Sequence, residues 1–539
     1  MVKKASPAHV SVVQLTATGM AEEAEEGEGD VGDCLLAPGP VQTVHRSSAH
    51  LILLTCGLGG LQVVWSVILS NGSPYLVSLG LSRSLTALIW IAAPVCGCIV
   101  QPPVGAWSDH STSRWGRRRP FIFFGTIGIV TSLILLAWVR EIVGSWASKP
   151  DSEPSGKAVV AVAVILIYIL NAAIQPVQAG IRSLIIDTLS VQQQAQASTY
   201  VTIMQGLGNI LGYLFGFLVL PSIADPNTSL FQRLSIFASV VLCITIGLTC
   251  STCSERQLPA LSSACHVEWT SFFKRSISVY RQMPATVRKV CHVQFFSWMA
   301  WFPFLYYSTT YVAEHYTGKM ELRNSFGDYK LRSSDIDIAI LEAKMSNEGV
   351  RVGTFASFLF STVTFLYNMI LPRITASVQL PNKASKGNGR PRDCRIGVVQ
   401  AWKWAHVYFF LLMLSTLFVH HASQAVAVVA LAGLSWALTL FAPFAIIGTE
   451  LAAKSAREED VSVGEDGTLS YSQDDDTGAV MGIHNVAISL PQIFAALVCS
   501  GIYAINNALN SSDGTGWVLK AGGVAALIAA LLCKRLEED

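Results

Sequence analysis

Charged residues are scarce in this chain of 539 residues, in which Asp, Glu, Lys and Arg together make up 14%. Soluble globular domains carry about 25%. Hydrophobic residues instead reach 51%, so the composition is that of a protein embedded in a membrane. The formal net charge of +1 leaves no excess of basic residues, and we therefore expect no nucleic-acid partner.

The sequence also lacks the motifs of several catalytic and energy-using proteins. No Gly-x-x-x-x-Gly-Lys-Ser/Thr loop is present, which argues against transport driven by ATP. The apolar stretches hold no pair of carboxylates, no nucleophile beside a base and no His-Glu metal spacing, so we expect neither an enzyme nor a metal cofactor. The 12 cysteines stand singly, mostly in apolar stretches, and indicate packing rather than a disulfide framework.

Long apolar stretches are what the sequence has in abundance. A helix that crosses a bilayer needs about 20 mostly apolar residues. Twelve such spans are predicted, at 51–70, 85–107, 120–139, 158–186, 197–220, 232–253, 289–311, 350–371, 396–419, 424–449, 478–505 and 516–533.

Basic residues between the spans predict which side each loop faces, because cytoplasmic loops hold the excess of Lys and Arg. They concentrate after the second, sixth and eighth spans: Arg114, Arg117, Arg118 and Arg119; Arg256, Lys274, Arg275, Arg281, Arg288 and Lys289; Arg373, Lys383, Lys386, Arg390, Arg392 and Arg395. Both termini are therefore predicted to be cytoplasmic. The glycosylation acceptors Asn71, Asn227 and Asn510 fall in loops predicted to lie outside, which is consistent with a glycoprotein.

The domain organisation follows from the same pattern. Residues 1–45 are predicted to be a disordered acidic cytoplasmic tail without a signal-peptide pattern. A polar interval at 254–288 is predicted to be a cytoplasmic linker between an N-terminal six-helix bundle at 46–253 and a C-terminal one at 289–535. Two such bundles around a midplane binding site form an all-α transporter architecture.

Polar residues inside the spans cost free energy unless they face protein or water, so their angular placement is informative. Two polar stripes stand out, namely Asn171, Gln175, Gln178 and Arg182 on the fourth span, and Asn485, Ser489 and Gln492 on the eleventh. At about 100° per residue, the first stripe lies within an arc of roughly 60°. Amides and hydroxyls both donate and accept hydrogen bonds, which suits a neutral polyol. Hydrogen bonding between helices is the alternative explanation.

Aromatic residues supply the other part of a sugar site, because they pack against the apolar face of a pyranose. The candidates are Trp65, beside Gln62 and Ser66 on the first span, and Trp298, Trp301, Phe302 and Phe304 around Pro303 on the seventh. Packing in the core or in the interfacial belt is the alternative for these rings. A lone arginine within a span is expensive, so Arg182 is predicted to act on the substrate or on a gate.

Several motifs carry a family resemblance. Residues 108–122 read SDHSTSRWGRRRPFI, of the form SDxxTSRxGRRRPFI. This segment resembles the plant sucrose transporters and their fungal and animal relatives, within the glycoside-pentoside-hexuronide cation symporters of the major facilitator superfamily. Further similar segments are GLQVVW at 60–65, QPPVG at 101–105, WMAWFPF at 298–304, GVR at 349–351 and NVAISLPQ at 485–492.

The resemblance implies import of sucrose, maltose or a related glucoside with protons by alternating access. It implies that Arg182 is the fourth-helix arginine that the family needs for transport. The predicted substrate-binding residues are Gln62, Trp65, Asn171, Gln175, Gln178, Arg182, Trp298, Asn485 and Gln492. The predicted gating residues, which would lock helices together on the cytoplasmic side, are Asp109, Arg114, Arg117, Arg118 and Arg119.

Four positions depart from the plant pattern. Asn171 stands where plant members have an Asp thought to carry the coupling proton, and Asn keeps the hydrogen bonds but cannot titrate. Ser308 and Thr310 replace an acidic pair, and Arg83 replaces a histidine in the first loop. Sugar recognition therefore survives these departures more easily than the plant coupling scheme does.

Two accounts of coupling remain open. In the first, the proton, which is the only coupling ion expected, binds another acid, and the candidates are Asp187, Glu314 and Glu450. In the second, the sugar equilibrates without a cation. The QPVQ turn at 175–178 is shared with fungal relatives and favours a fungal-type symporter with a relocated acid.

The main competing function is a sugar sensor that does not transport. The tails and loops are too short for an evident signalling domain, which disfavours it. We expect a disaccharide and the lipid bilayer as partners, function as a monomer, and a multi-pass location in the plasma membrane or the vacuolar membrane.

Overall fold

The computed structural model describes residues 46–109, 111, 113–146, 156–189, 191–218, 229–253, 280–325, 335–376, 396–462, 477–509 and 513–537. The predicted acidic tail at 1–45, the acceptors Asn227 and Asn510, and most of the predicted linker lie outside these ranges.

The architecture is almost wholly helical. The N-terminal helices are α1 Ser48–Ser78, α2 Arg83–Ile89, α3 Ala92–Ile99, α4 Gln101–Asp109, α5 Arg119–Ala137, α6 Val139–Ser145, α7 Gly156–Thr188, α8 Val191–Leu218 and α9 Leu230–Thr252. The C-terminal helices are α10 Ala285–Ser325, α11 Asp335–Ile374, α12 Val398–Leu414, α13 Ala422–Ser462, α14 Thr477–Ala508 and α15 Gly514–Glu537. Two short strands, β1 Thr375–Ala376 and β2 Ile396–Gly397, pair in parallel between α11 and α12, and a 3₁₀ turn spans Ser415–Phe418.

Local sequence signals set several helix ends. Ser47 caps α1 by accepting a hydrogen bond from the His50 backbone N–H. Ser229 and Gln232 form a reciprocal capping box at the start of α9. Gly80 ends α1 in the left-handed region, with φ of 100°, where glycine carries no steric cost. This turn directs the chain into α2.

Ten helices in the described part of the chain are long and apolar enough to cross a membrane. They confirm a multi-pass, all-helical membrane protein, while the count of twelve spans and the cytoplasmic termini stay predictions. The helices α10, α11 and α13 are far longer than the spans predicted within them, and they continue into stretches that were expected to be loops.

The second predicted span, 85–107, is not one helix but three short ones, α2, α3 and α4. A proline within a helix lacks the N–H donor and clashes with the carbonyl four residues earlier. Pro94, Pro102 and Pro103 cannot donate to the carbonyls four residues earlier, and the breaks fall nearby, at Trp90–Ile91 and at Val100.

A second correction concerns Asn71, which was predicted to lie in an outer loop. Because α1 continues to Ser78, Asn71 falls inside that helix and is only 4% exposed, with its amide donating to Ser70 Oγ at 2.6 Å. A buried helical asparagine is not accessible as a glycosylation acceptor.

Helix α1 packs closely on α8 and α9, and glycines make this approach feasible. A methyl group added at Gly212 of α8 would overlap Ser66 Oγ, and one added at Gly60 of α1 would overlap Thr245 Oγ1 on α9. The N-terminal and C-terminal helices meet where α1 packs on α10, α8 on α11, and α14 on α2 and α3. These seams position the candidate site.

Candidate functional site

The upper part of the α7 stripe is buried. Asn171 is 1% exposed and donates from Nδ2 to the Ile167 carbonyl at 2.8 Å, and Gln175 donates from Nε2 to the Asn171 carbonyl at 3.2 Å. The Asn171 Oδ1 atom is buried and accepts no hydrogen bond from the described residues. A buried acceptor without a donor carries a desolvation cost, which marks this position as one that a hydroxyl group could satisfy.

The lower part of the same stripe is open. Gln178 is half-buried and Arg182 is exposed. Within the described part of the chain, the Arg182 guanidinium makes neither an ion pair nor a hydrogen bond. The exposed apolar residues Ile165 and Ile169 lie roughly 100–140° away from Arg182 around α7, so Arg182 does not share their lipid-facing side.

The stripes of α7 and α14 converge on a glycine of α3. A methyl group added at Gly97 would lie 3.5 Å from Ser489 Oγ of α14 and 3.8 Å from Gln175 Oε1 of α7. Asn485 of α14 donates to Gln101 Oε1 of α4 at 3.3 Å, and Gln492 is half-buried and donates to the Ile488 carbonyl of its own helix at 3.1 Å. Uncharged polar groups from both sets of helices therefore meet across the broken span.

The residues predicted on α1 lie at the α8 seam. Gln62 Nε2 donates to Asn209 Oδ1 of α8 at 3.0 Å. Trp65 is half-buried one turn further along α1. Asn209 was not predicted, since a single amide on the fifth span forms no stripe. The hydrogen bond between Asn209 and Gln62 joins α8 to α1, and both of these helices also pack on C-terminal helices.

The aromatic residues of α10 divide into two groups. Trp301, Phe302 and Phe304 are at most 2% exposed, so they pack in the core rather than face a substrate. Trp298 is half-buried, and its indole Nε1 is buried without a hydrogen-bond partner among the described residues. It meets the half-buried Trp436 of α13 edge to face, with ring centroids 5.5 Å apart and ring planes at 77°. Trp436 was not predicted, because it stands alone in an apolar span.

The arginines predicted to gate the cytoplasmic side bind an acid on α7. Arg117 Nη2 lies 2.8 Å and Arg118 Nε 3.0 Å from Asp187 Oδ2. Arg118 also donates to Ser108 Oγ of α4, so this cluster links the end of α7 to the end of α4. The Asp109 side chain lies outside the described residues, Arg114 is exposed and Arg119 is half-buried.

The two other candidate acids occupy different settings. Glu314 of α10 forms an ion pair with Arg83 of α2, and its Oε1 atom also accepts a hydrogen bond from Thr515 Oγ1 of α15. Glu450 is half-buried on α13. The structure therefore separates the acids: Asp187 lies among the N-terminal helices, whereas Glu314 lies between the N-terminal and C-terminal helices.

Comparison with known proteins defines the class. Residues 55–323 match the family described as MFS/sugar transport protein. The solved D-xylose-proton symporter is similar at a TM-score of 0.52 and 15% identity, covering 90% of this chain and 97% of that chain. The nucleoside transporter NupG is similar at a TM-score of 0.51 and 11% identity, with coverages of 91% and 99%. The fold is thus that of a major facilitator transporter.

Two curated relatives narrow the class further. The general alpha-glucoside permease of Schizosaccharomyces pombe is 32% identical, covering 91% of this chain and 94% of the relative. The sucrose transport protein SUC4 of Arabidopsis thaliana is 25% identical, with coverages of 91% and 92%. The chain belongs to the MFS sugar transport protein family, and the resemblance drawn from its motifs is confirmed.

Proposed function

We propose that this protein imports an α-glucosidic disaccharide, such as sucrose or maltose, together with protons by alternating access. The observation that carries the proposal is the convergence of Gln175 and Ser489 on Gly97, which brings uncharged hydrogen-bonding groups of α7 and α14 together. Such groups match the hydroxyls of a neutral sugar. The alpha-glucoside permease and sucrose transport names of the relatives support the substrate class.

The open polar residues and the aromatic pair divide the recognition between them. Gln178 and Arg182 offer hydrogen-bond donors on α7, and Trp298 with Trp436 offers an apolar surface on the C-terminal side. The unpartnered Trp298 Nε1 supplies a further donor for a sugar hydroxyl. We propose that each ring of the disaccharide contacts one of these two groups of residues.

Uptake of labelled sugar tests the substrate proposal. Cells that lack their own disaccharide transporters should accumulate labelled sucrose or maltose when they express this protein, and matched cells with an empty vector should not. Transport of neither sugar by protein that has reached the membrane would overturn the proposal. Fractionation of the same cells tests whether the protein lies in the plasma membrane, as we propose, or in the vacuolar membrane.

An uncoupled facilitator is the second candidate, and Asn171 is the observation that favours it, because an amide cannot carry the coupling proton. A pH electrode in a weakly buffered cell suspension separates the two. Alkalinisation on addition of sugar supports symport, whereas sugar entry without a pH change contradicts it. If alkalinisation occurs, Asp187→Asn, Glu314→Gln and Glu450→Gln identify the relocated acid by which variant keeps sugar entry but loses the pH change.

A further inference from the structure

A polar cluster joins N-terminal and C-terminal helices at the end of the molecule that is predicted to face outward. Arg83 Nη1 of α2 lies 2.6 Å from Glu314 Oε1 of α10. Thr515 Oγ1 of α15 donates to the same carboxylate oxygen at 2.9 Å. One carboxylate thus holds three helices together, and its partners come from sequence positions far apart.

Neighbouring contacts close the same end. Ser84 Oγ lies 2.9 Å from Ser500 Oγ, which links α2 to α14. Ser73 Oγ of α1 donates to the Tyr306 carbonyl of α10 at 3.1 Å. Each of these contacts connects an N-terminal helix to a C-terminal one, so the outer seam is shut in this structure.

The groups around Glu314 identify Arg83 as its charged partner. Asp513, directly before α15, is close enough to Glu314 to repel its charge, but it forms an ion pair with Lys520, whose Nζ lies 2.9 Å from Asp513 Oδ2. On α14, Tyr503 is hydrogen-bonded to Thr515 Oγ1 at 3.2 Å. On α10 itself, His315 Nδ1 contacts the Tyr311 carbonyl at 2.9 Å.

The two charges differ in exposure, which gives each a distinct energetic weight. The Glu314 side chain is 22% exposed and the Arg83 side chain is 41% exposed. Removing one member of an ion pair leaves the other charge uncompensated, and the cost is greater when the remaining charge is less exposed to water. Loss of Arg83 should therefore penalise the closed arrangement more than loss of Glu314, since the less exposed charge is the one left alone.

We propose that Arg83 and Glu314, supported by Thr515, form the outer gate of this transporter, and that separation of their ion pair opens the outer entrance. This inference rests on the proposed transport function, because only a protein with alternating access needs such a gate. It assigns to Arg83 and Thr515 roles at a gate, which the sequence motifs alone did not predict.

Labelling of a reporter cysteine tests the gate without requiring transport. Ser84→Cys places a half-buried thiol at the closed seam, where a membrane-impermeant maleimide added to intact cells should react faster when the outer end is open. In this background, Arg83→Gln should raise the labelling rate about tenfold, and Glu314→Gln should raise it by a smaller factor. The tenfold value lies within the range of about 5–150-fold by which couplings between sites typically change an equilibrium. Thr515→Val should also raise the rate.

Two further variants separate an ion pair from general damage. The double variant Arg83→Gln with Glu314→Gln should label more slowly than Arg83→Gln alone, since no uncompensated charge remains. Lys403→Gln is the matched control, because it breaks the ion pair with Glu537, which joins α12 to α15 within the C-terminal part of the chain and leaves the partners of Glu314 unchanged. Its labelling rate should equal that of the reporter alone. The protein without Ser84→Cys reports the background of the native cysteines.

The outcomes are distinguishable from those of the function itself. Equal labelling in all variants, or a double variant that labels faster than Arg83→Gln, would overturn the gate even if the protein transports sugar. If Arg83→Gln fails to reach the membrane, the exchanged pair Arg83→Glu with Glu314→Arg takes its place, and it should label at the rate of the reporter alone. If cells that express the wild-type protein do not take up sugar, the proposed function is wrong, whatever the labelling shows.

Discussion

At the scale of single residues, the proposed site contains polar atoms that have no partner in the described part of the chain. Asn171 Oδ1 and Trp298 Nε1 are buried and have no hydrogen-bond partner among the described residues. Arg182 is exposed, although α7 buries its neighbours Ile181 and Leu184 completely. A buried polar atom without a partner lowers stability, and in the proposed site a sugar hydroxyl would supply the missing partner of Asn171 Oδ1 and of Trp298 Nε1.

Arg182→Ala should abolish sugar uptake while the protein still reaches the membrane, because the exposed guanidinium holds no structural ion pair in the described part of the chain. Arg182→Lys is the matched variant. It keeps the charge but loses the planar fork of donors, so uptake should be reduced rather than abolished. Labelled-sugar uptake normalised to surface protein measures both, and wild-type uptake by the alanine variant would remove Arg182 from the site.

Trp436→Leu should raise the KM for sugar about fivefold, as expected when an aromatic contact of about 1 kcal/mol is lost. The control is Trp404→Leu, which removes a tryptophan that is 57% exposed on α12 and lies away from Trp298. Its KM should not change. Initial uptake rates over a range of sugar concentrations give both values. An unchanged KM for Trp436→Leu would assign this ring to packing alone.

Asn171→Asp should make transport more dependent on external protons, because the variant restores a titratable group at the position that is acidic in plant members. The carboxylate would stand in the buried site beside Gln175, so uptake should rise as the medium is made more acidic. Sugar uptake measured across a pH series, beside wild type, checks this. A pH profile identical to that of wild type would show that coupling in this chain is organised differently.

At the scale of helices, small residues determine how closely two helices pack, and prolines determine where a helix is interrupted. Gly212 lies against Ser66 with no room for a side chain, and Pro94 and Pro103 divide one predicted span into three. The hydropathy pattern predicts where helices lie along the chain, since it depends only on nearby residues. It did not predict the breaks, because an apolar stretch with prolines still has the length of a span.

Gly212→Ala should lower the thermal unfolding temperature of the protein in detergent, since overpacking costs about 1–3 kcal/mol. Gly247→Ala on α9 is the matched control, because an added methyl group there meets no atom within 4 Å. It should melt at or above the wild-type temperature, as alanine favours helix over glycine by about 1 kcal/mol. Equal loss in both variants would contradict the packing explanation, because the methyl group added at Gly247 meets no neighbouring atom.

At the scale of the whole molecule, long-range pairing is what the sequence could not provide. The stripes on α7 and α14 were visible from helical spacing, and so was Arg182 as a lone charge. The partners were not: Asp187 binds Arg117 and Arg118, Gln62 binds Asn209, and Trp298 meets Trp436. Each pair joins segments far apart in the sequence, whose mutual orientation depends on the packing of the whole helical assembly.

A cross-link at the outer seam should stop transport. The double variant Ser84→Cys with Ser500→Cys replaces two hydroxyls whose oxygens lie 2.9 Å apart, close enough for a disulfide to form. An oxidant should then block sugar uptake and a reductant should restore it, because the N-terminal and C-terminal helices could no longer separate. Each single variant with the same oxidant is the control. Undiminished uptake by the oxidised double variant, with the disulfide verified, would contradict movement at this seam.

The helices α2, α3 and α4 form an interrupted span, whereas the neighbouring spans are continuous helices. A continuous helix must tilt as a whole, whereas a helix interrupted near Trp90 and Val100 can bend at those two positions. We therefore expect α2, which carries Arg83, to move while α3, which carries Gly97, keeps its contacts with Gln175 and Ser489. The prolines of this span would thus allow the proposed outer gate to move independently of the proposed sugar site.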